Sequence, residues 1–203
     1  MMAPGGAAAK RAMDLVGAGV GLALTAPVLV GASAAILLTD GRPILFRQHR
    51  VGRGGKQFEI LKFRSMRNGS AGLQVSSDRD PRITKVGALL RRAKVDELPQ
   101  LLNVLRGEMS LVGPRPEVPR YVALWPAKAR PLILSVRPGI TDPASIAFRN
   151  ESEILAASDD PEATYIDDIL PRKAAMYVEY VRRQSLIGDI GLIMSTVKKV
   201  ARP

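Results

Sequence analysis

The chain has 203 residues, with 30 Lys and Arg against 19 Asp and Glu, which gives a formal net charge of +11. This charge favours partners that carry phosphates, such as nucleic acid, nucleotide sugars or anionic lipid. The absence of cysteine excludes a disulfide scaffold and thiolate chemistry, and the single histidine excludes a poly-histidine metal site within one chain. Because aromatic residues make up only 4% of the chain, few side chains could stack on single-stranded nucleic acid, and we expect no nucleic-acid partner.

An uncharged apolar segment, Leu15–Thr39, lies near the N-terminus. A helix of this length could cross a bilayer core of roughly 30 Å. Three interpretations compete: a secretory signal cleaved near Ala32, a single span, and a re-entrant helical hairpin. The length of the segment argues against a signal. Pro27 lacks the N–H that a continuous helix would use, and basic residues, Lys10 and Arg42 among them, flank both sides, so these features favour the hairpin while leaving the span open.

Short elements are predicted beyond this segment. Pro43–Arg47 and Gln57–Phe63 have the composition of strands around a Gly-rich turn, and residues 73–80 are predicted to form a loop. Thr84 is predicted to cap a helix over Val86–Ala93.

The middle of the chain contains a second predicted helix, Glu97–Arg106, with Asp96 as its N-cap and Gly107 as its end. The remaining predicted elements are a rigid loop at 113–116, a helical region Glu117–Leu134 interrupted at Pro126 and Pro131, a turn at Arg137–Thr141, a basic helix Pro171–Arg183 and an amphipathic helix Asp189–Val200.

The adjacent carboxylates of Asp96 and Glu97 are the strongest candidates for chemistry. They follow a basic stretch that includes Arg91, at a predicted helix N-terminus that favours anions. An ionised Asp96 could attack phosphorus and form an acyl phosphate, with Glu97 as a base. The alternative is that Asp96 is only a helix cap and Glu97 only a first-turn acid.

Arginines next to stiff turns are candidate phosphate ligands, because a guanidinium on rigid backbone suits bidentate recognition. The alternative is a solvated basic surface. These residues are Arg64, Arg115, Arg137 and Arg149.

Three stretches, read together, resemble the bacterial sugar transferases, and specifically the small monotopic phosphoglycosyl transferases. The longest is Val95–Glu117, which reads VDELPQLLNVLRGEMSLVGPRPE. The other two are Lys62–Met66 and Arg137–Thr141, and the resemblance extends over residues 10–200. The chain looks like a minimal form of the family, without the additional N-terminal membrane domain of larger members.

The resemblance implies transfer of a sugar-1-phosphate from a UDP-sugar to undecaprenyl or another polyprenyl phosphate, with release of UMP. Asp96 would be the nucleophile that forms a covalent phosphosugar intermediate, and Glu97 would assist deprotonation of the acceptor. Mg²⁺ would be the cofactor, with Asp96 as a ligand. The implied substrate-binding residues are Lys62, Arg64, Arg91, Arg115, Arg137 and Arg149.

The expected fold class is α+β, mainly helical. We expect a flexible N-terminus at 1–9, a re-entrant membrane hairpin at 10–41 that breaks at Pro27, and a cytosolic catalytic domain at 42–203 with amphipathic C-terminal helices at the membrane surface. This places the chain on the cytosolic face of the bacterial inner membrane. The oligomeric state, a dimer included, is left open, as are the sugar and the pathway.

Two positions depart from the family pattern. Ala26 precedes Pro27 where members often have Ser, and Asp142-Pro143-Ala144-Ser145 replaces the Gly-Trp-Ala-Gln that many members carry after the Arg-Pro-Gly-Ile-Thr motif. The second departure affects the expected sugar or nucleoside contacts more than the chemistry. The alternative function is a non-catalytic basic adaptor at the membrane surface.

Overall fold

A computed structural model describes residues 4–67, 69 and 80–201. The first three residues and most of the predicted 73–80 loop lie outside this set. Within it the fold is mainly helical with a few short strands, as predicted. The helices are α1 (Pro4–Thr39), α2 (Lys85–Arg92), α3 (Gln100–Arg106), α4 (Pro119–Leu124), α5 (Arg130–Ile133), α6 (Pro143–Ala147), α7 (Glu151–Ala156), α8 (Pro161–Thr164), α9 (Leu170–Arg183) and α10 (Leu186–Ala201). The strands are β1 (Leu45–Val51), β2 (Gln57–Phe63), β3 (Ser110–Val112) and β4 (Gly139–Thr141).

The first helix, α1, is a continuous helix that includes Pro27. Asp14 and Ala32 lie on opposite sides of this proline and are both buried. They are five turns apart at about 3.6 residues per turn, so the buried face keeps its phase across the proline. The helix is therefore not interrupted at Pro27, where a break was predicted. A proline removes only one backbone N–H donor, and apolar helices of membrane-spanning length tolerate that loss. The re-entrant arrangement stays a prediction.

Residues 4–9, assigned from the sequence to a flexible N-terminus, already belong to α1. Ala7, Ala8 and Ala9 have high helix propensity, and Pro4 is tolerated in the first turn of a helix. By length and composition, Gly6–Thr39 is the one helix among the described residues that could cross a membrane.

A β-hairpin follows α1. Strands β1 and β2 are antiparallel, with Leu45 opposite Phe63 and Val51 opposite Gln57. β2 has the predicted bounds, whereas β1 begins after Pro43, which cannot donate a ladder hydrogen bond. Helix α2 begins at Lys85 and is capped by Thr84 as predicted, because the Thr84 hydroxyl accepts the Gly87 N–H at 2.9 Å.

A second strand pair corrects the predicted turn at Arg137–Thr141. β3 and β4 are parallel, with Ser110 opposite Gly139. The backbones meet so closely that a Cβ on Gly113 would lie 2.4 Å from the Arg137 carbonyl oxygen. Only glycine fits there, because even a methyl group would overlap the facing main chain.

The largest hydrophobic cluster lies between the helices of the C-terminal half. Tyr121, Leu155 and Tyr177 are almost fully buried in it. The predicted helical region 117–134 is divided into α4 and α5, which Pro126 separates. The predicted basic helix is α9 and the predicted amphipathic helix is α10, which begins three residues earlier than expected.

Candidate active site

The two carboxylates lie on a 3-10 turn, Val95–Glu97, that precedes α3. The preceding residue, Lys94, has a left-handed backbone with φ of 55°. Asp96 was predicted to cap a helix that includes Glu97. This is wrong: α3 begins at Gln100 after Pro99, without a side-chain cap. The Asp96 carboxylate is thus not used by a helix terminus and is available for other contacts.

A buried asparagine aligns this region with the hairpin. Asn103 of α3 accepts the Leu61 N–H at 3.0 Å through its amide oxygen and donates to the Glu59 carbonyl at 2.8 Å. Side chains of adjacent strand residues point to opposite faces. Asn103 therefore fixes the position of β2 relative to α3. In this position Lys62 of β2 lies next to the turn that carries Glu97.

Two cations hold Glu97. Its Oε1 accepts from Lys62 Nζ at 2.9 Å and from Arg115 Nη2 at 2.7 Å. Burial alone would raise the pKa of Glu97, but Arg115 and Lys62 outweigh it and hold that pKa well below its ordinary value. Glu97 is consequently a carboxylate in this arrangement. The rigid loop predicted at 113–116 presents Arg115 for this contact.

Asp96 has the opposite electrostatic character. It is only 8% exposed, and its Oδ1 atom is buried without a hydrogen-bond partner. Burial and the neighbouring charge of Glu97 raise the pKa of Asp96, and Lys62 and Lys94 oppose this rise. A buried oxygen without a partner is costly unless a ligand supplies one. The two carboxylates therefore differ: one is held by cations, and the other is unsatisfied and faces the same basic residues.

A second layer of charge supports Arg115. Glu97, Glu117 and Asp142 together raise the pKa of Arg115 well above its ordinary value despite its burial. Glu117 in turn accepts from the Tyr165 hydroxyl at 2.8 Å. Asp142 is fully buried and caps α6 by accepting the Ser145 N–H at 2.9 Å.

Sequence reasoning missed Glu117 and named Asp142 only as a departure from a motif. The signal that could have identified them is position: Glu117 lies two residues after Arg115, and Asp142 directly follows the Arg137–Thr141 motif. Lys94, which belongs to the basic stretch before the carboxylates, was not singled out from the sequence either. Its left-handed backbone places it close enough to influence both carboxylates.

The other predicted substrate-binding arginines lie in different places. Arg91, at the end of α2, is close enough to lower the pKa of Asp96. Arg149 is exposed after α6. Arg137 donates through Nε to the Gly107 carbonyl at 2.8 Å, at the C-terminal end of α3. Arg64 is 4% exposed and is held at the end of α1. The structure thus brings Lys62, Arg91 and Arg115 to the carboxylates, and places Arg64 and Arg137 elsewhere.

Arg64 fastens the C-terminal end of α1 to the rest of the molecule. Its Nη2 donates to the carbonyls of Asp40 at 2.7 Å and Gly41 at 2.8 Å. The Asp40 carboxylate accepts from the Thr84 hydroxyl at 2.9 Å. Carbonyls at a helix C-terminus lack partners within the helix, so a guanidinium there satisfies them.

The N-terminal end of α1 is fastened by a buried ionic cluster. Lys10 is 7% exposed, and its Nζ lies 3.2 Å from Asp14 and 2.9 Å from Asp189 of α10. Asp14 Oδ1 also accepts from the Leu111 N–H and the Ser110 hydroxyl, both at 3.0 Å. Both ends of α1 are therefore attached to one folded body by buried polar contacts.

Comparison with known proteins shows the family to which this chain belongs. Residues 6–203 match the family model described as bacterial sugar transferase, and the chain belongs to that family. It is 38% identical to the UDP-glucose:undecaprenyl-phosphate glucose-1-phosphate transferase of Caulobacter vibrioides, over 93% of this chain and 68% of that protein. It is 35% identical to the exopolysaccharide production protein ExoY of Rhizobium meliloti, over 97% of this chain and 87% of that protein.

Other relatives are much longer than this chain. It is 34% identical to the UDP-N-acetylgalactosamine-undecaprenyl-phosphate N-acetylgalactosaminephosphotransferase of Aeromonas hydrophila, of which it spans 43%. It spans 35% of the undecaprenyl-phosphate glucose phosphotransferase of Komagataeibacter xylinus, to which it is 40% identical. The names of these relatives include different sugars, so similarity does not select one for this chain.

Proposed function

We propose that this protein transfers a sugar-1-phosphate from a UDP-sugar to a polyprenyl phosphate and releases UMP. The observation that carries the proposal is the carboxylate pair, in which Asp96 presents a buried oxygen without a partner beside Glu97, which is held by Lys62 and Arg115. The names of the relatives, which include UDP-sugars and undecaprenyl phosphate, support the same donor and acceptor classes. Such a reaction begins the membrane-bound assembly of a glycan.

In the first half-reaction, an oxygen of Asp96 attacks the phosphorus that carries the sugar. A bond forms between this oxygen and phosphorus, the bond from phosphorus to the UMP oxygen breaks, and UMP leaves with the electron pair. The product is an aspartyl-phosphosugar. Lys62, Arg91 and Lys94 surround Asp96 with positive charge that stabilises the anionic transition state.

In the second half-reaction, an oxygen of the acceptor phosphate attacks the same phosphorus and releases the Asp96 carboxylate. Glu97 is the base for the proton of the acceptor. While Arg115 and Lys62 hold the pKa of Glu97 low, it is a weak base. When these cations turn toward substrate phosphates, the pKa of Glu97 rises toward its ordinary range and the carboxylate becomes able to accept the proton.

Mg²⁺ fits the donor set at this site. Asp96 offers a buried carboxylate oxygen without a partner, and Mg²⁺ binds through one or two carboxylates together with substrate phosphates. No group of three or more acidic, histidine or cysteine side chains among the described residues could hold the ion alone. Asp96 would therefore hold Mg²⁺ with the donor pyrophosphate, where the ion neutralises phosphate charge.

The attachment of both ends of α1 supports a monotopic arrangement on the cytoplasmic leaflet. Lys10 and Arg64 fasten opposite ends of the helix to one folded body, which carries ionic groups and cannot lie on both sides of a bilayer. The exposed apolar surface of this continuous helix then lies in that one leaflet. Helix α10 adds an exposed apolar stripe that suits the interface and that consists of Ile187, Ile190, Met194 and Val197.

The test of activity is release of UMP from a panel of UDP-sugars by the full chain in detergent micelles, with undecaprenyl phosphate and Mg²⁺. We expect release with at least one donor, dependent on the acceptor for sustained turnover. No release with any donor would favour the adaptor function instead.

The test of topology uses the natural absence of cysteine. Ala8→Cys and Arg42→Cys place one thiol before and one after the apolar segment. We expect that a membrane-impermeant thiol reagent applied to intact cells labels neither. Labelling of either one from the periplasmic side would contradict the monotopic arrangement.

A further inference from the structure

Two arginines from distant parts of the chain meet at the C-terminal end of α3. Arg11 of α1 donates through Nη1 to the Val104 carbonyl at 2.9 Å and through Nη2 to the Leu105 carbonyl at 3.3 Å. Arg137 donates through Nε to the Gly107 carbonyl at 2.8 Å. Because both side chains bind carbonyls of the same helix end, their guanidinium groups are held side by side on one small area of the surface.

A third arginine, Arg53 on the turn between β1 and β2, lies next to these two. Burial and the charges of Arg11 and Arg53 lower the pKa of Arg137, so both guanidinium groups are close to it. Asp14 opposes this effect, but it already belongs to the buried ionic cluster with Lys10. Among the residues that the structure describes, none of the three arginines pairs with a carboxylate. We call Arg11, Arg53 and Arg137 the arginine cluster.

The arginine cluster has hydrogen-bond donors to spare. Arg11 and Arg137 are half-buried and fixed by their contacts with α3, and a guanidinium has more N–H groups than these contacts use. Arg53 is exposed and makes no side-chain hydrogen bond within the described ranges. Guanidinium groups that are held in place without a counterion suit bidentate hydrogen bonds to phosphate oxygens.

The arginine cluster also lies at one end of an exposed apolar surface. Leu15 and Val16 follow Arg11 by about one turn of α1, and both are exposed. On α3, Leu102 and Leu105 are exposed as well, and the Arg11 guanidinium binds the Leu105 carbonyl directly. In a membrane such a surface contacts acyl chains, and basic residues at its end lie at the level of the lipid headgroups.

We propose that the arginine cluster binds the phosphate of a bilayer phospholipid whose headgroup has a net negative charge. The acyl chains of this lipid lie against the exposed leucines of α1 and α3. A zwitterionic headgroup is disfavoured, because its ammonium group would meet three cations and no paired carboxylate among the described residues. The proposal rests on the proposed position of α1 in one leaflet, and it goes beyond the transferase function because this lipid is bound and not consumed.

The two substrates of the proposed reaction are also anions, but their phosphates react elsewhere. Asp96 precedes the N-terminal end of α3, whereas the arginine cluster binds carbonyls at the C-terminal end. The helix has 7 residues between these ends, which is about 10 Å at 1.5 Å per residue. A phosphate that is bound at the arginine cluster is therefore not the phosphate that Asp96 attacks.

The test titrates lipids into the full chain in neutral detergent micelles and follows the thermal unfolding midpoint. The probes are phosphatidylglycerol, phosphatidylcholine with the same acyl chains, and glycerol phosphate as a water-soluble phosphate. A ligand that binds only the folded protein raises the midpoint according to its occupancy. We expect a saturable rise with phosphatidylglycerol and none with the other two probes.

Three variants locate the effect. Arg53→Gln should raise the half-saturating fraction of phosphatidylglycerol about fivefold, which corresponds to about 1 kcal/mol for one arginine at an anionic surface. Arg137→Lys keeps the charge but loses the planar guanidinium, and it should weaken binding by a similar factor. Arg172→Gln is the matched control: it removes the same charge from α9, where the side chain is 62% exposed, and should change the half-saturating fraction by less than about twofold.

Several results would overturn the proposal. Equal stabilisation by phosphatidylcholine would indicate a general lipid effect, and stabilisation by glycerol phosphate would indicate a site for soluble anions. Equal effects of Arg53→Gln and Arg172→Gln, or unchanged binding by Arg137→Lys, would indicate diffuse attraction to a charged micelle.

A second measurement separates this lipid site from the transferase function. Arg53→Gln should keep the burst of UMP that the unmodified chain gives with donor alone, and loss of the burst would place Arg53 at the donor and contradict the proposal. Absence of a burst in the unmodified chain would refute the transferase function, whereas the lipid titration would still decide the site because it needs no turnover.

Discussion

Arg115→Met removes one of the two cations that hold Glu97 and leaves Lys62 at 2.9 Å. The lost contact is a charge-assisted hydrogen bond of 2.7 Å, and such bonds contribute about 1.5–3 kcal/mol. Loss of this contact should therefore raise the pKa of Glu97 toward its ordinary value and lower the free energy of unfolding at neutral pH by about the same amount. Methionine keeps much of the side-chain volume, so the change is mainly one of charge.

The sign of the effect on stability follows from linkage. The pKa of Glu97 in the folded protein is well below its ordinary value. The ionised group therefore stabilises the fold above its unfolded pKa, and this contribution is lost as pH falls through the lower folded pKa. In Arg115→Met the folded pKa is higher, so less stabilisation is present at neutral pH and its loss is complete at a higher pH.

The assay is the thermal unfolding midpoint in detergent micelles as a function of pH. Arg120→Met is a matched control, because Arg120 lies 2.7 Å from Glu162 but its side chain is 60% exposed. An exposed pair contributes about 1 kcal/mol at most, so the control should keep the pH dependence of the unmodified chain. The same pH dependence in both variants would refute the assignment of Glu97 as a carboxylate held by Arg115.

Three further predictions concern the parts that position the site. Gly113→Ala should destabilise the fold by about 3 kcal/mol, because the new Cβ would lie 2.4 Å from the Arg137 carbonyl oxygen. Gly31→Ala should stabilise α1 by up to about 1 kcal/mol, because nothing lies within 4 Å of the new Cβ. Thermal unfolding of both variants checks this prediction. Lys10→Met should lower the free energy of unfolding by about 3–5 kcal/mol, because it leaves Asp14 and Asp189 buried without their shared cation. A loss smaller than that for substitution of an exposed lysine would contradict the buried ionic cluster. Removal of divalent cations with EDTA should stop UMP release without lowering the unfolding midpoint, and Mg²⁺ should restore the activity.

Local signals predicted two helix ends correctly, although the predicted Asp96 cap was wrong. Thr84 and Gly107 were identified as the start of one helix and the end of another because a cap depends on residues within one turn. The β3–β4 pair was missed because each strand has only three residues and its partner is distant in the chain. Pairing of this kind depends on close tertiary packing, which the absence of a side chain at Gly113 permits. A three-residue strand is too short to show a hydrophobic periodicity that would predict it.

For the candidate site, the sequence likewise indicated some of the residues that come together but did not separate them from arginines that lie elsewhere. Asp96, Glu97, Lys62 and Arg115 come together because turns and a buried asparagine align neighbouring elements. Arg64 had the same sequence character as Arg115, a guanidinium beside a turn, but it satisfies carbonyls at the end of α1. A motif shows that an arginine is held rigidly. It does not show whether the partner is a substrate or a helix terminus.

The central claim, that Asp96 carries the sugar phosphate during the reaction, is tested most directly by label retention. Glu97→Gln and Asp96→Asn are incubated with a UDP-sugar radiolabelled in the sugar, and protein-bound label is measured after denaturation, with unfolding midpoints confirming that both variants fold. In the proposed mechanism Glu97 acts in the second half-reaction and Asp96 forms the bond to phosphorus, so we expect label on Glu97→Gln protein and none on Asp96→Asn. Label retained on Asp96→Asn, or substantial turnover by that variant, would contradict it.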